Sequence, residues 1–179
     1  TSTDVDHGAT ALYSGNATGT YGTFAVDAKT GEWTYNMSND AHQDLKAGEK
    51  HTETFTVTVT DDQGAKATQD VTVTVTGTND KPVITNTDTE IAGSVTEDST
   101  GNMVATGALS AHDVDHNATQ AWTVQGDDAG SYGSIAVDAE TGEWTYTLDN
   151  ASDAVQALKE GESHDETFTI RVTDDKGGY

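Results

Sequence analysis

The chain has 179 residues, enough for one large domain or two ordinary ones, and carries 31 Asp and Glu against 8 Lys and Arg, a formal net charge of -23. Charge of that sign repels nucleic acid and anionic lipid, so neither is expected as a partner. No Cys is present, which excludes disulfides as the source of rigidity, and no apolar run is long enough to insert in a membrane.

In chain order, Gly22–Asp27 and Glu32–Met37 flank a Lys29-Thr30-Gly31 turn and read as a β-hairpin. Asp40–Lys46 reads as a short helical or turn-like stretch. Phe55, Val57 and Val59 alternate with Thr54, Thr56 and Thr58, and Val71, Val73 and Val75 alternate with Thr72 and Thr74, the period-two pattern of half-buried strands. Gly77-Thr78-Asn79-Asp80-Lys81-Pro82 follows as a linker whose proline fixes the backbone. A second hairpin is predicted over Gly133–Asp138 and Glu143–Leu148, and a second helical or turn-like stretch over Ser152–Lys159.

These elements recur because the sequence repeats. Asp4-Val5-Asp6-His7 returns as Asp113-Val114-Asp115-His116, Thr30–Tyr35 as Thr141–Tyr146, Glu53–Thr56 as Glu166–Thr169, and Thr60-Asp61-Asp62 as Thr173-Asp174-Asp175. Asp4 to Asp113, Trp33 to Trp144 and Asp61 to Asp174 are separated by 109, 111 and 113 residues, a drift explained by two short insertions in the second copy. A period of that length is a whole domain. Residues 1–82, including the linker, form the first repeat and residues 83–179 the second. Short strands with Gly- and Asp-rich turns predict an all-β chain of tandem immunoglobulin-like, cadherin-like antiparallel sandwiches. Relative to each other, the first copy is expected to lack its first strand and the second its last, and such open edges favour weak self-association.

Tyr132-Gly133-Ser134, Thr141–Tyr146, Leu158–Glu162, Phe168–Asp174 and the Gly77–Pro82 linker resemble the VCBS repeats of giant bacterial adhesins, including RTX adhesins. More distantly, Asp113-Val114-Asp115 and Asn79-Asp80 are similar to the calcium motifs of cadherins. Gly77 stands where cadherin linkers have Asp, and Lys81 where they have Asn. The resemblance implies secretion to the bacterial cell surface, tandem arrays with neighbouring repeats as partners, calcium at domain junctions, and a part in attachment and biofilm formation.

Calcium takes six to eight oxygens, and a D-x-D segment in extended chain turns two carboxylates to one side. Asp113 and Asp115 are therefore candidate ligands, with Asp174 from a neighbouring loop and Asn79 and Asp80 from the linker. Asp4, Asp6 and Asp61 are their mates in the first copy. By the cadherin resemblance Glu49 serves the lower end of the first repeat, and its mate Glu162, with Glu97, the lower end of the second. An EF-hand does not fit, because Ala118 stands where its glycine belongs and Val124 where its closing glutamate belongs. Zinc lacks a Cys or third His beside His112 and His116.

The aromatics recur as pairs, Tyr13 with Trp122, Tyr21 with Tyr132, Trp33 with Trp144, Tyr35 with Tyr146 and Phe55 with Phe168, as core residues do, which argues against a sugar-stacking platform. Trp33 and Trp144 are expected to be equally buried. No nucleophile elbow or phosphate-cradling loop is present. The sequence reading is a non-enzymatic, calcium-binding extender of a secreted adhesin. Its rivals are a carbohydrate- or protein-binding module and an accessory domain of a secreted hydrolase.

Overall fold

A computed structural model describes residues 10–179, in two compact units, Thr1–Thr78 and Asn79–Tyr179. Asn79–Pro82, read from the sequence as linker, thus belong to the second unit.

The first unit contains β1 (Ala11–Ser14), β2 (Ala17–Thr18), β3 (Gly22–Val26), β4 (Trp33–Met37), a single 3-10 turn at Asn39–Ala41, β5 (Lys50–Asp61) and β6 (Lys66–Thr76). They form two antiparallel sheets, ordered β1-β5-β6 and β2-β3-β4. The β5–β6 hairpin is the longest ladder, running from Lys50 opposite Thr76 to Thr60 opposite Lys66. Its outward face is a threonine ladder in which Thr52 faces Thr74 and Thr54 faces Thr72, while Thr56 donates to Asp70 Oδ1 at 2.7 Å. Its inward face supplies Phe55, whose ring stacks on Phe24 of β3 at 4.7 Å and closes the sandwich. Val26 joins these two in the core, with Tyr13, Tyr35, Val57, Val71 and Val73 packed around them.

The second unit contains β7 (Val83–Ile84), β8 (Val104–Ala108), β9 (Ala111–His112), β10 (Gln120–Gln125), β11 (Gly133–Val137), β12 (Glu143–Leu148), α1 (Asp153–Gln156) and β13 (Thr169–Asp174). Strand β10 pairs with β13 as β1 pairs with β5, and β11 with β12 as β3 with β4. Ser152 caps α1 through its side chain, and the one turn of helix seats Val155 in the core with no exposed surface. Of the two stretches read as helical or turn-like, the first is a 3-10 turn that buries nothing and the second is α-helix.

Both hairpin turns are fixed by an aspartate. Asp27 Oδ1 accepts from the amides of Lys29 and Thr30, and Asp138 Oδ1 from those of Glu140 and Thr141. The turns then pass through Gly31 (φ 70°) and Gly142 (φ 73°), where a Cβ would meet the ring of Tyr13 or Trp122 at 2.9 Å.

The two tryptophans do not share an environment, contrary to the sequence expectation. Trp144 is 5% exposed and Trp33 48%. In the second unit β8 pairs along the open side of β12 and sets Gly107 opposite Trp144, with the indole pressed onto the glycine so closely that a Cβ there would lie 2.6 Å from the ring. Among the described residues of the first unit, β4 pairs with β3 alone. Stability should divide accordingly: Trp144→Ala is expected to cost about 3–5 kcal/mol in denaturant unfolding, and Trp33→Ala, which vacates a half-wet site, less than about 2 kcal/mol. Equal losses would mean that the indoles are equally packed.

Candidate functional site

Carboxylates define the chemistry of both units, and each is held differently. Asp61 and Asp174 close equivalent hairpin turns. Asp61 Oδ1 accepts from the amides of Gln63 and Ala65 at 2.9 and 2.7 Å, and Asp174 Oδ1 from those of Lys176 and Gly178 at 2.7 and 2.8 Å. Asp61 is half-buried, whereas Asp174 is 7% exposed.

Around Asp174 the second unit gathers the predicted ligands. Asn79 Nδ2 donates to Asp174 Oδ2 and to the Asp80 carbonyl, both at 2.8 Å. The Asp80 amide donates to Asp115 Oδ2 at 3.1 Å, and the Asp115 amide to Asp113 Oδ1 at 2.9 Å. Asn117, in the left-handed region at φ 57°, then turns the chain back toward β10. Gly178 closes the cluster at close quarters, since a Cβ there would lie 2.3 Å from Asp174 Oδ2 and 2.7 Å from Asn79 Nδ2.

Asp115 is 7% exposed. Burial raises its pKa above the usual carboxylate value, and the neighbouring charges of Asp113, Asp80 and Asp174 add to that rise, against a lowering from the Asp80 amide. Burial acts the same way on Asp174, but hydrogen bonds from Asn79, Gly178, Lys176 and Gly177 together outweigh it and lower the pKa. Two oxygens remain without a donor: Asp113 Oδ2 and Asp115 Oδ1 are buried and accept no hydrogen bond. A buried carboxylate oxygen in that state is costly unless a cation or proton answers it. Among the described residues no three His, Asp or Glu side chains converge closely enough to hold a metal as they stand. The donor set suits a hard cation in kind, being all oxygen, and its carboxylates are linked through backbone amides and an asparagine.

The other predicted ligands lie elsewhere. Asp4 and Asp6 fall outside the described residues. Glu49 belongs to the first unit, where its Oε1 pairs with His51 Nε2 at 2.7 Å, and Glu162 Oε1 pairs with His164 Nε2 at 2.9 Å in the second. Glu162 also accepts from the Lys159 amide, and its pKa is lowered by the His164 contact first and that amide second. Glu97 is half-buried in the loop before Asn102 and is not among the charges that meet Asp115. The recurrence of Glu-x-His in both copies is the signal that could have found these pairs, because residues two apart on an extended chain share a side.

A second carboxylate device escaped the sequence reading. Glu53 Oε2 accepts from the Tyr35 hydroxyl at 2.5 Å, while Oε1 accepts from the amides of Thr20 and Tyr21. Glu166 repeats this with Tyr146, Ser131 and Tyr132. Gly19 and Gly130 lie flush against the carboxylates, and a Cβ on either would fall 2.2 or 2.3 Å from Oε1. Recurrence of Tyr35 with Glu53 and of Tyr146 with Glu166 was visible, but nothing local says that residues 18 and 20 positions apart meet.

The pH response of the clamp follows from its shifts. Burial raises the Glu53 pKa, but the hydrogen bonds from Tyr35, Thr20 and Tyr21 outweigh it and set it below the ordinary 4.5. This contribution to stability is present above 4.5 and lost as pH falls through the folded value. Tyr35 is pushed up from 10.0 to about 12 by burial and by the Glu53 carboxylate, so its contribution is full below pH 10 and is lost as pH rises toward about 12. Tyr146→Phe should cost about 1–3 kcal/mol by leaving Glu166 Oε2 short of a donor. In Tyr35→Phe the loss of first-unit stability between pH 10 and 12 should flatten. An unchanged alkaline slope in thermal melts would show that the phenol does not carry it.

Tandem β-sandwiches, the second with an all-oxygen carboxylate cluster, are the class that the structure describes, and the family comparison gives it a name. The model of the bacterial cadherin-like domain matches residues 1–77 and again 79–179, so the chain belongs to that family, twice over. No curated protein matches it. Among solved structures, one described as PcdhgB3 EC1-4 is 20% identical with a TM-score of 0.45, covering 94% of this chain and 36% of its own. The protocadherin GammaB4 extracellular domain is 19% identical with a TM-score of 0.43, covering 92% of this chain and 23% of its own. The chain thus spans about a third or less of the structures that it matches. Among the described residues no helix is long and apolar enough to cross a membrane.

Proposed function

We propose that the chain is a non-catalytic, calcium-dependent spacer of a secreted bacterial surface adhesin of VCBS or RTX type, with neighbouring repeats as its partners. The observation that carries the reading is the pair of buried carboxylate oxygens, Asp113 Oδ2 and Asp115 Oδ1, that accept no hydrogen bond. A divalent cation supplies the charge that the cluster needs. Asp113, Asp115 and Asp174 would hold it through carboxylate oxygens, with Asp80 and the Asn79 side-chain oxygen beside them. Asn79 and Asp80 follow directly on the end of the first unit at Thr78, so a cation that engages them restrains the chain where one repeat passes to the next. A spacer needs that restraint to hold an adhesive tip away from the cell and support attachment or biofilm formation. Millimolar extracellular calcium suffices, since modules of this kind bind at about 10⁻⁴ to 10⁻³ M.

Calorimetry tests the reading through a sign. With a Kd on the order of 10⁻⁴ M and calcium about twenty-fold above it, mass action adds about 2 kcal/mol, or roughly 8–16 °C in the melting of the second unit. In EGTA, Asp115→Asn should instead raise the melting temperature, because it removes a buried charge whose pKa is raised by burial and by like charges. By the same linkage the unfavourable Asp115 contribution is relieved as pH falls through the carboxylate range, while the lowered Glu90, Asp138, Glu162, Asp174 and Asp175 act in the opposite direction. The variant should also lose the calcium increment. An Asp115→Asn protein that melts as the parent does in both media, or calcium and EGTA scans that overlay, would sink the proposal.

A further inference from the structure

An open cleft of the second unit contains none of the clustered carboxylates in its lining. It encloses about 350 Å³, at the small end of the range for ligand clefts, between Leu109, Gln120 and Trp122 of β10, and Glu140 and Thr141 of the β11–β12 turn. The backbone fixes its walls. The Leu109 amide donates to the Gly142 carbonyl at 2.9 Å, the Trp122 amide to the Ala139 carbonyl at 3.0 Å, and Asp138 Oδ1 accepts from the Glu140 and Thr141 amides. Three polar groups of the lining have no such engagement. Among the described residues, the Gln120 carboxamide, the Glu140 carboxylate and the Trp122 indole N–H have no hydrogen-bond partner. Gly142 keeps the indole edge clear, since a Cβ there would lie 2.9 Å from Nε1.

The sandwich itself does not need these three groups. Gln120 lies opposite Asp174 as Ala11 lies opposite Asp61, Trp122 takes the place of Tyr13 in the same ladder, and Glu140 follows Asp138 in its turn as Lys29 follows Asp27. Contacts that hold the framework recur in both units, as Tyr35 with Glu53 and Tyr146 with Glu166 do, whereas all three of these positions differ.

We propose that this cleft binds one neutral hexose unit of a glycan, a function separate from the spacing role and not resting on a bound cation. A donor at the indole, an acceptor at the carboxylate and a carboxamide that does both suit neighbouring ring hydroxyls, each of which donates and accepts. Leu109 offers the C–H edge of the ring an apolar wall. Glu140 and the net charge of -23 repel an anionic sugar. Hydrogen bonds at the ring edge hold the ligand, not stacking, because Trp122 is 4% exposed.

The test is a nuclear magnetic resonance titration of the whole nitrogen-labelled chain, in which the indole N–H groups of Trp33, Trp122 and Trp144 give separate signals. The probes are the methyl α-glycosides of glucose, galactose and mannose, with galacturonate as the anionic control. At least one glycoside should move the Trp122 signal saturably, with a Kd on the order of millimolar for a ligand of this size, and leave Trp33 in place. Gln120→Ala combined with Glu140→Lys installs the first unit's residues and should weaken binding at least about ten-fold, with an unmoved Trp144 signal reporting the intact fold. Galacturonate should not bind. The absence of a saturable shift with all three glycosides at roughly 50 mM overturns the proposal. So does a shift that survives the double substitution, an equal shift of Trp33, or galacturonate binding as tightly as the neutral sugars.

Discussion

A carboxylate taken out of water must be given donors or a counter-charge, and the way each acidic side chain meets that demand organises this protein. With a net charge of -23 the chain cannot rely on lysine and arginine. It uses its own backbone instead. Asp27 and Asp138 order the hairpin turns, Asp61 and Asp174 the later ones, and in each case the oxygen accepts amides that a tight turn would otherwise leave unpaired.

The Glu53 and Glu166 clamps apply the same rule across the sandwich. Each carboxylate takes two amides from the loop before a hairpin and a hydroxyl from the hairpin's second strand, so one side chain ties three segments together. Gly19 and Gly130 are the cost of that contact, because no side chain fits where the carboxylate approaches. At Asp113 and Asp115 the rule is broken. There the backbone supplies fewer donors than the oxygens need, and burial with like-charged neighbours makes the deficit expensive. Two such carboxylate oxygens side by side in one cluster are what single out this part of the fold.

The two units also show how far a repeat sequence can be trusted to repeat its packing. Phe24, Phe55 and Tyr35 have counterparts in Ile135, Phe168 and Tyr146, and the ring pair Tyr35–Phe55 at 5.8 Å recurs as Tyr146–Phe168 at 5.9 Å. The tryptophans share strand and position and differ tenfold in exposure, because burial depends on the strand alongside.

By itself the sequence determined what is set by nearest neighbours along the chain. The all-β class, the hairpins of β3 with β4 and β11 with β12, the alternating strands β5 and β6 and the whole-domain repeat follow from period-two alternation and from turn chemistry, which act over a few residues. It also placed Asn79, Asp80, Asp113, Asp115 and Asp174 in one group, through the D-x-D spacing and a family resemblance. Only the tertiary structure decided which carboxylate oxygens lack donors, that Glu53 reaches Tyr35 and the Thr20 amide, that Glu49 and Glu162 pair with histidines, and that Trp33 is open while Trp144 is closed. Those outcomes depend on contacts between segments far apart in the chain. A side chain's hydrogen bonds and burial are properties of what folding brings beside it, and composition and spacing do not encode them locally.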